Sequence, residues 1–203
     1  MIVKDAFRFL IPLVLSAALA LALGLYIAAV LVLLMALFVA FFFRNPEREI
    51  PADPHVIVSP ADGRVVKIDR VGQVTKLSIF LSIFDVHVNR SPIAGRIEAI
   101  DYKPGKFRAA FNHSASIENE RNVIMVAQGN TKLVFTQIAG LIARRIVCWK
   151  KVGETVAKGE LIGLIRFGSR VDVLFPAGTE VTVERGARVR GGSSPIGIIK
   201  EVS

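Results

Sequence analysis

From Phe9 to Phe43 the chain carries no charged residue. Ordered as one helix, that run would be about 52 Å long, whereas a bilayer core of about 30 Å needs only about 20 residues. One upright span overshoots, and two full spans are cramped. Gly24 lies near the middle and Pro12 near the start. Residues 1–44 therefore read as a helical membrane anchor, either a tight hairpin breaking near Gly24 or one long tilted helix, with the hairpin preferred. Lys4 and Arg8 precede the run, and Arg44 and Arg48 follow it. Positive flanks at both ends suit a hairpin in a cell membrane with both ends, and the rest of the chain, on the cytoplasmic side. The run is too long for the apolar core of a cleaved signal peptide. Pro46, Pro51 and Pro54 make residues 45–55 a stiff, non-helical linker.

The remaining 56–203 is long enough for one domain. The formal net charge of +9 suits nucleic acid or anionic lipid. Many of the 13 Phe lie in the apolar run, and only one Trp and two Tyr are present. Few rings are left for stacking bases, so the expected partner is an anionic membrane and not nucleic acid. The single cysteine, Cys148, lies in the apolar stretch Ile146-Val147-Cys148-Trp149. It allows no intrachain disulfide and reads as a buried small hydrophobe. No residues stand at a recognised metal-ligand spacing, so no metal is expected.

After residue 55 short alternating segments take over: Val56–Val58, Arg64–Ile68, Lys76–Leu81, Val123–Val126 and Lys132–Phe135. Turn signals separate them at Asp62-Gly63, Lys103-Pro104-Gly105, Gln128-Gly129-Asn130 and Ala177-Gly178. This predicts an all-β sandwich or small barrel. From Gly153 to Gly163 the rhythm is G-x-x-V-x-x-G-x-x-I-G, and it recurs, one residue longer, from Gly186 to Gly197. Such repeats are common in flattened barrels of the biotinyl/lipoyl kind. They also raise a rival reading, a membrane-tethered adaptor or carrier, although no Met-Lys-Met or Asp-Lys-Ala tip occurs.

Gly191-Gly192-Ser193-Ser194 lies inside the second repeat. Gly192 has no side chain, so its carbonyl is open to attack and its backbone tolerates strained angles. A serine hydroxyl attacking that carbonyl gives an ester by an N-to-O shift. Loss of the serine α-proton eliminates the ester, and the resulting dehydroalanine hydrolyses to a pyruvoyl group and ammonia. Such a ketone is an electron sink for decarboxylating an amine substrate, the work pyridoxal phosphate does elsewhere.

These residues resemble a family. Phe43-Arg44-Asn45-Pro46, Ser59-Pro60-Ala61-Asp62-Gly63-Arg64, Phe84-Asp85-Val86-His87-Val88-Asn89-Arg90, Glu118-Asn119-Glu120-Arg121-Asn122, Phe167-Gly168-Ser169-Arg170-Val171-Asp172 and Gly191-Gly192-Ser193-Ser194 occur in the order of the short-form phosphatidylserine decarboxylase proenzymes of bacteria and archaea. The resemblance implies a phosphatidylserine decarboxylase that cuts itself after Gly192, keeps its C-terminal fragment, and carries a pyruvoyl cofactor derived from Ser193. The family's Leu-Gly-Ser-Thr motif maps on with Gly191 for Leu and Ser194 for Thr. Asp62 matches an Asp of the long form's self-cleavage relay. His87 matches the first histidine of a His-x-x-His pair, and Arg90 stands in place of the second.

The expected catalytic residues are thus Ser193, His87 and Asp62. The unperturbed pKa of the imidazole group, about 6.5, suits a histidine such as His87 to proton transfer. Guanidinium matches both phosphate and carboxylate, which makes Arg90, Arg121 and Arg170 candidates for substrate binding, with His113 a further one. His55, in the linker, reads as solvated. An ether lipid with the same headgroup and a homo-oligomer are left open.

Overall fold

The computed structural model describes residues 1–72, 74–105, 119–140, 145–166 and 169–200. The chain forms two compact units, Met1–Glu47 and Arg48–Ser203.

In the first unit, α1 (Phe7–Ala22) and α2 (Tyr26–Phe42) pack against each other. The break falls at Gly24, whose φ of +73° suits a residue without a Cβ. The two ends meet where Ile2 bridges Arg44 and the Asn45 N–H donates to the Met1 carbonyl at 2.7 Å. At 16 and 17 residues the helices are about 24 and 26 Å long. By length and composition, one helical segment, Lys4–Ala22, is apolar enough to cross a membrane. Large apolar side chains stay outside, with Leu15 65% and Ile27 80% exposed. Monomeric soluble proteins rarely expose large contiguous apolar patches.

The second unit is predominantly β, with a curled half-barrel sheet. Its strands are β1 (Val56–Val58), β2 (Gly63–Val71), β3 (Val74–Leu81), β4 (Val88–Arg90), β5 (Gly95–Lys103), β6 (Arg121–Gln128), β7 (Thr131–Ile138), β8 (Ile146–Cys148), β9 (Thr155–Val156), β10 (Leu161–Ile165), β11 (Ser169–Leu174), β12 (Thr179–Val181), β13 (Arg188–Val189) and β14 (Pro195–Ile199). An eight-stranded sheet runs β13-β2-β3-β11-β7-β6-β5-β9, and two small sheets run β1-β14-β12 and β4-β10-β8. Alternation puts Val65, Ile79, Leu133, Phe135, Val171 and Val173 into one core. Each such side chain contributes about 1.5–3 kcal/mol on burial.

This unit repeats itself. His55–Arg64 and His87–Arg96 share the pattern H-V-x-x-S-P-x-x-G-R. Ser59 Oγ donates to the Ala61 carbonyl at 2.6 Å, and Ser91 Oγ to that of Ile93 at 2.7 Å. A Cβ on Gly63 would collide with the Phe80 carbonyl, and one on Gly95 with that of Ala127. The β-bulges match too, at Val66 and Glu98. The Val58 N–H donates to Pro92 O at 3.0 Å, and the Arg90 N–H to Pro60 O at 2.9 Å. Such reciprocal bonds mark a pseudo-two-fold axis. The large sheet reads the same from either end once β13 is exchanged with β9, β2 with β5, β3 with β6 and β11 with β7, and Val173 opposes Phe135 at its centre. The small sheets exchange likewise, with β14 central in one and β10 in the other.

Candidate active site

Gly191-Gly192-Ser193-Ser194 forms the turn between β13 and β14. The Ser193 and Ser194 N–H groups both donate to Arg190 O, at 3.1 and 3.0 Å. Gly192 is held at φ +81°, where a side chain is strained, and a Cβ there would press on Arg90 Cδ at 2.9 Å. Ser59 braces both sides of the Gly192–Ser193 bond. Its carbonyl accepts from the Gly192 N–H at 2.8 Å, and its N–H donates to Ser194 O at 2.8 Å. Ser194 Oγ accepts from the Arg190 N–H at 2.9 Å.

Asp62 reaches this turn from the loop before β2. Its Oδ1 accepts from the Gly191 N–H at 2.8 Å. Arg48, in the segment after the helical unit, grips the same carboxylate from behind, with Nη2 at 2.9 and 2.8 Å from its two oxygens. This pair is shielded, with side chains only 9% and 15% exposed. Arg90 Nη1 donates to Gly159 O at 2.9 Å. Burial lowers the pKa of its guanidinium, the neighbouring Arg48 charge adds to that, and Asp62 opposes it. Arg90 thus lies between the turn at Gly192 and a second turn at Gly159.

A cleft of about 570 Å³ opens at the turn, lined by Asp62, Gly63, Asp85, Arg188, Val189, Arg190, Ser193, Ser194 and Pro195. Arg188 on β13 and Arg190 just past its end both line the cleft, while Val189 between them is buried in the core. Both are exposed. Asp85 closes a tight turn by accepting the Ser82 N–H at 2.8 Å. The same turn carries Ile83 and Phe84, the latter 65% exposed.

Ser193, Asp62 and Gly192 are therefore brought together. His87 does not line the cleft. It is buried, and its Nδ1 lies 2.9 Å from the carbonyl oxygen of Asp85, which does line it. A carbonyl only accepts, so Nδ1 carries the hydrogen and Nε2 is the basic nitrogen of the neutral ring. Arg170 is committed elsewhere: its Nε lies 2.9 Å from Asp172, which also pairs with Lys76. Arg121 lies on β6 opposite Ile138 and Lys103, outside the cleft lining. His113, Glu118, Phe167 and Gly168 fall outside the described residues. Cys148 is half-buried, and burial pushes its thiol up from the ordinary value, away from the thiolate a nucleophile needs. Among the described residues no cluster could hold a metal ion.

Sequence reasoning missed Arg48, Asp85, Arg188 and Arg190. The signal for the last two was present: Arg-x-Arg just ahead of the Gly-Gly-Ser-Ser turn. Nothing in the sequence joins Arg48 to Asp62.

The sequence model of the family described as phosphatidylserine decarboxylase matches residues 35–197. A phosphatidylserine decarboxylase proenzyme of Solibacter usitatus is 52% identical over 96% of this chain and 95% of its own. One of Carboxydothermus hydrogenoformans is 44% identical over 97% and 96%. One of Chlorobium phaeobacteroides is 45% identical over 82% and 81%. With a family match that covers the whole β unit up to Gly197 and relatives aligned nearly end to end, this chain belongs to the phosphatidylserine decarboxylase family.

Proposed function

We propose that this chain is a membrane-anchored decarboxylase that converts phosphatidylserine to phosphatidylethanolamine with a pyruvoyl group made from its own Ser193. The observation that carries this reading is the turn itself. The Gly192–Ser193 bond is braced on both sides by Ser59, its glycine is held at a positive φ, and its serine faces a cleft.

In the maturation step, Ser193 Oγ attacks the Gly192 carbonyl carbon. The peptide C–N bond breaks, and the freed Ser193 amine keeps the proton that leaves Oγ. A base then takes the Ser193 α-proton, the Cβ–O bond breaks, and Gly192 leaves as a carboxylate. Water replaces the nitrogen, which departs as ammonia. Asp62 holds Gly191 during these steps, with Arg48 fixing Asp62. When formed, the pyruvoyl group supplies the electron sink for loss of CO2.

Around it, Arg188 and Arg190 suit the anionic headgroup, because two guanidiniums lining one cleft match a phosphodiester and a carboxylate together. They take over the binding role that the sequence suggested for Arg121 and Arg170. His87, with its Nδ1–H on Asp85 O, offers Nε2 for proton transfer. The exposed Ile83 and Phe84 beside the cleft suit contact with the lipid interface. Residues 1–44 serve as the anchor, supported by the apolar surface of α1 and α2 and by their basic flanks, with the β unit on the cytoplasmic side. The two-fold repeat and the glycine-paired hairpins support placing this barrel with the biotinyl/lipoyl hybrids.

Intact mass spectrometry of the detergent-purified protein tests the cofactor. The expected result is one fragment ending at Gly192 and one beginning at residue 193, the latter lighter than its hydrolysis product by one NH3. A single uncut chain from native membranes defeats the reading. Release of CO2 from carboxyl-labelled phosphatidylserine, against the matching ether lipid, then fixes the substrate.

A further inference from the structure

The pseudo-two-fold axis gives the turn at Ser193 an internal standard. Its counterpart joins β9 to β10 through Ala157-Lys158-Gly159-Glu160. Gly159 has φ +76°, against +81° at Gly192. The Gly159 N–H donates to Ser91 O and the Ser91 N–H to Glu160 O, both at 2.8 Å, as Gly192 and Ser194 do with Ser59. Glu160 Oε2 accepts from the Ala157 N–H at 2.7 Å, as Ser194 Oγ does from that of Arg190. The Glu160 N–H donates to Ala157 O at 3.1 Å, as that of Ser194 does to Arg190 O.

The bonds to the bracing serine and the closing bonds across the turn thus recur in the other, whereas those of Asp62 to the Gly191 N–H and of the Ser193 N–H to Arg190 O have no counterpart, and Ser194 is the equivalent of Glu160. Gly192 is the equivalent of Gly159. Between Gly159 and Glu160 there is nothing, and between Gly192 and Ser194 stands Ser193. The self-cleavage serine is a one-residue insertion that expands a four-residue turn to five.

We propose that this expansion is what makes the Gly192–Ser193 bond cleavable, and that Ser194 is a positioning residue for the reaction. The inference rests on the reading that Ser193 is the self-cleaving serine. In the shorter turn, the residue after the glycine spends its side chain on the amide three positions back and its carbonyl on the braced serine. In the longer turn Ser194 takes both duties. The Ser193 hydroxyl then has no hydrogen-bond partner among the described residues and is free to turn onto the Gly192 carbonyl.

Deleting Ser194 keeps the Gly-Ser dipeptide and restores the shorter length. Ser193 then inherits the duties of Glu160, with its Oγ bound by the Arg190 N–H. The expected result in membranes or detergent is a folded, uncut chain, slower to cleave by about a hundredfold or more, the scale on which a displacement of about 1 Å acts. Hydroxylamine, which cuts an accumulated ester, should leave this chain whole, because the N-to-O shift itself is blocked. Ser194→Ala keeps the length but loses the bond from the Arg190 N–H, so it should still cleave but more slowly, and Ser194→Thr, which restores the hydroxyl, should cleave as wild type does.

Cleavage of the deletion variant at the wild-type rate overturns the proposal, as does its scission by hydroxylamine. If the variant lacks a cooperative thermal transition, the same deletion carrying Arg190→Ala and Gly191→Lys decides. That variant reproduces the Ala-Lys-Gly sequence already accommodated at the other turn. Failure of the wild type to cut removes the parent reading instead, and intact mass separates the two cases.

Discussion

The two ends of the pseudo-two-fold share one frame and differ in the side chains it carries. Where one corner has Asp62, Arg188, Arg190 and the extra Ser193, the other has Ala94, Thr155, Ala157 and no insertion. The serine-proline bends, the glycines against neighbouring carbonyls and the braced turns are common to both. Fold and chemistry are therefore separable here. The frame is specified twice, and the groups proposed to react are laid on one copy. The segment after the helical unit serves both copies: Arg48 grips Asp62 at one corner, while Ile50 crowds Gly159 and Lys158 Nζ donates to Asp53 O at the other.

The largest expected difference between the corners is at the insertion. Ser193→Ala should give a folded single chain with no measurable CO2 release, whereas Glu160→Ala should still mature and turn over. Loss of maturation in both would mean that the corners are not chemically distinct. Next come the arginines. Arg188→Ala and Arg190→Ala each remove charge-assisted hydrogen bonds of about 1.5–3 kcal/mol, so each should raise KM for phosphatidylserine about tenfold or more while the protein still self-cleaves. Thr155→Ala should leave KM alone. Unchanged KM in the double arginine variant would send the headgroup elsewhere.

Arg48→Ala should act on maturation, because it leaves the shielded Asp62 carboxylate without its cation. A slowing of about tenfold is expected, on the scale of one lost charge-assisted bond, with partial recovery in Arg48→Lys. Equal rates in all three proteins would show that the clamp is idle. The smallest effect belongs to the silent corner. The Lys150 ammonium, joined by the Ala157 N–H, holds the Glu160 carboxyl below its ordinary range. A lowered acid adds stability that is present above its unfolded value and is lost as pH falls through the folded one. Wild type should therefore melt slightly higher than Glu160→Gln at pH 7. The two should converge well below pH 4, and a gap that persisted there would refute the link to ionisation.

Much of this was readable in advance, for identifiable reasons. An uncharged run followed by basic residues leaves few options, and alternation marks β2, β3, β6 and β7 because each has one face in the core. The glycine rhythm of the two late hairpins was visible even to its extra residue. Its meaning was not, since only the hydrogen bonds of Ser59 and Ser91 show which residue is the additional one. The H-V-x-x-S-P-x-x-G-R repeat was also present, but unequal connections between later strands hide the symmetry: β2 and β3 are nearly continuous, whereas residues 104–120 separate β5 from β6. Local sequence marked Ser193 and Asp62 through their Gly-Ser and Asp-Gly settings. It could not rank the arginines. Arg170 faces Asp172 across one strand position, while Arg188 lies open to the cleft, and only tertiary structure distinguishes them.

The strand that follows the proposed cleavage site has a thermodynamic consequence. β14 is the middle strand of its sheet, with β1 on one side and β12 on the other, and Ile196 is fully buried. If the chain is cut after Gly192 as proposed, that peptide becomes a subunit. The native state no longer notices, but the unfolded state becomes two molecules, and its stability becomes concentration-dependent. Heat or denaturant that releases the short fragment at low protein concentration should yield a loss that dilution makes permanent. The mature enzyme would then be protected by how slowly it opens and not by how readily it refolds.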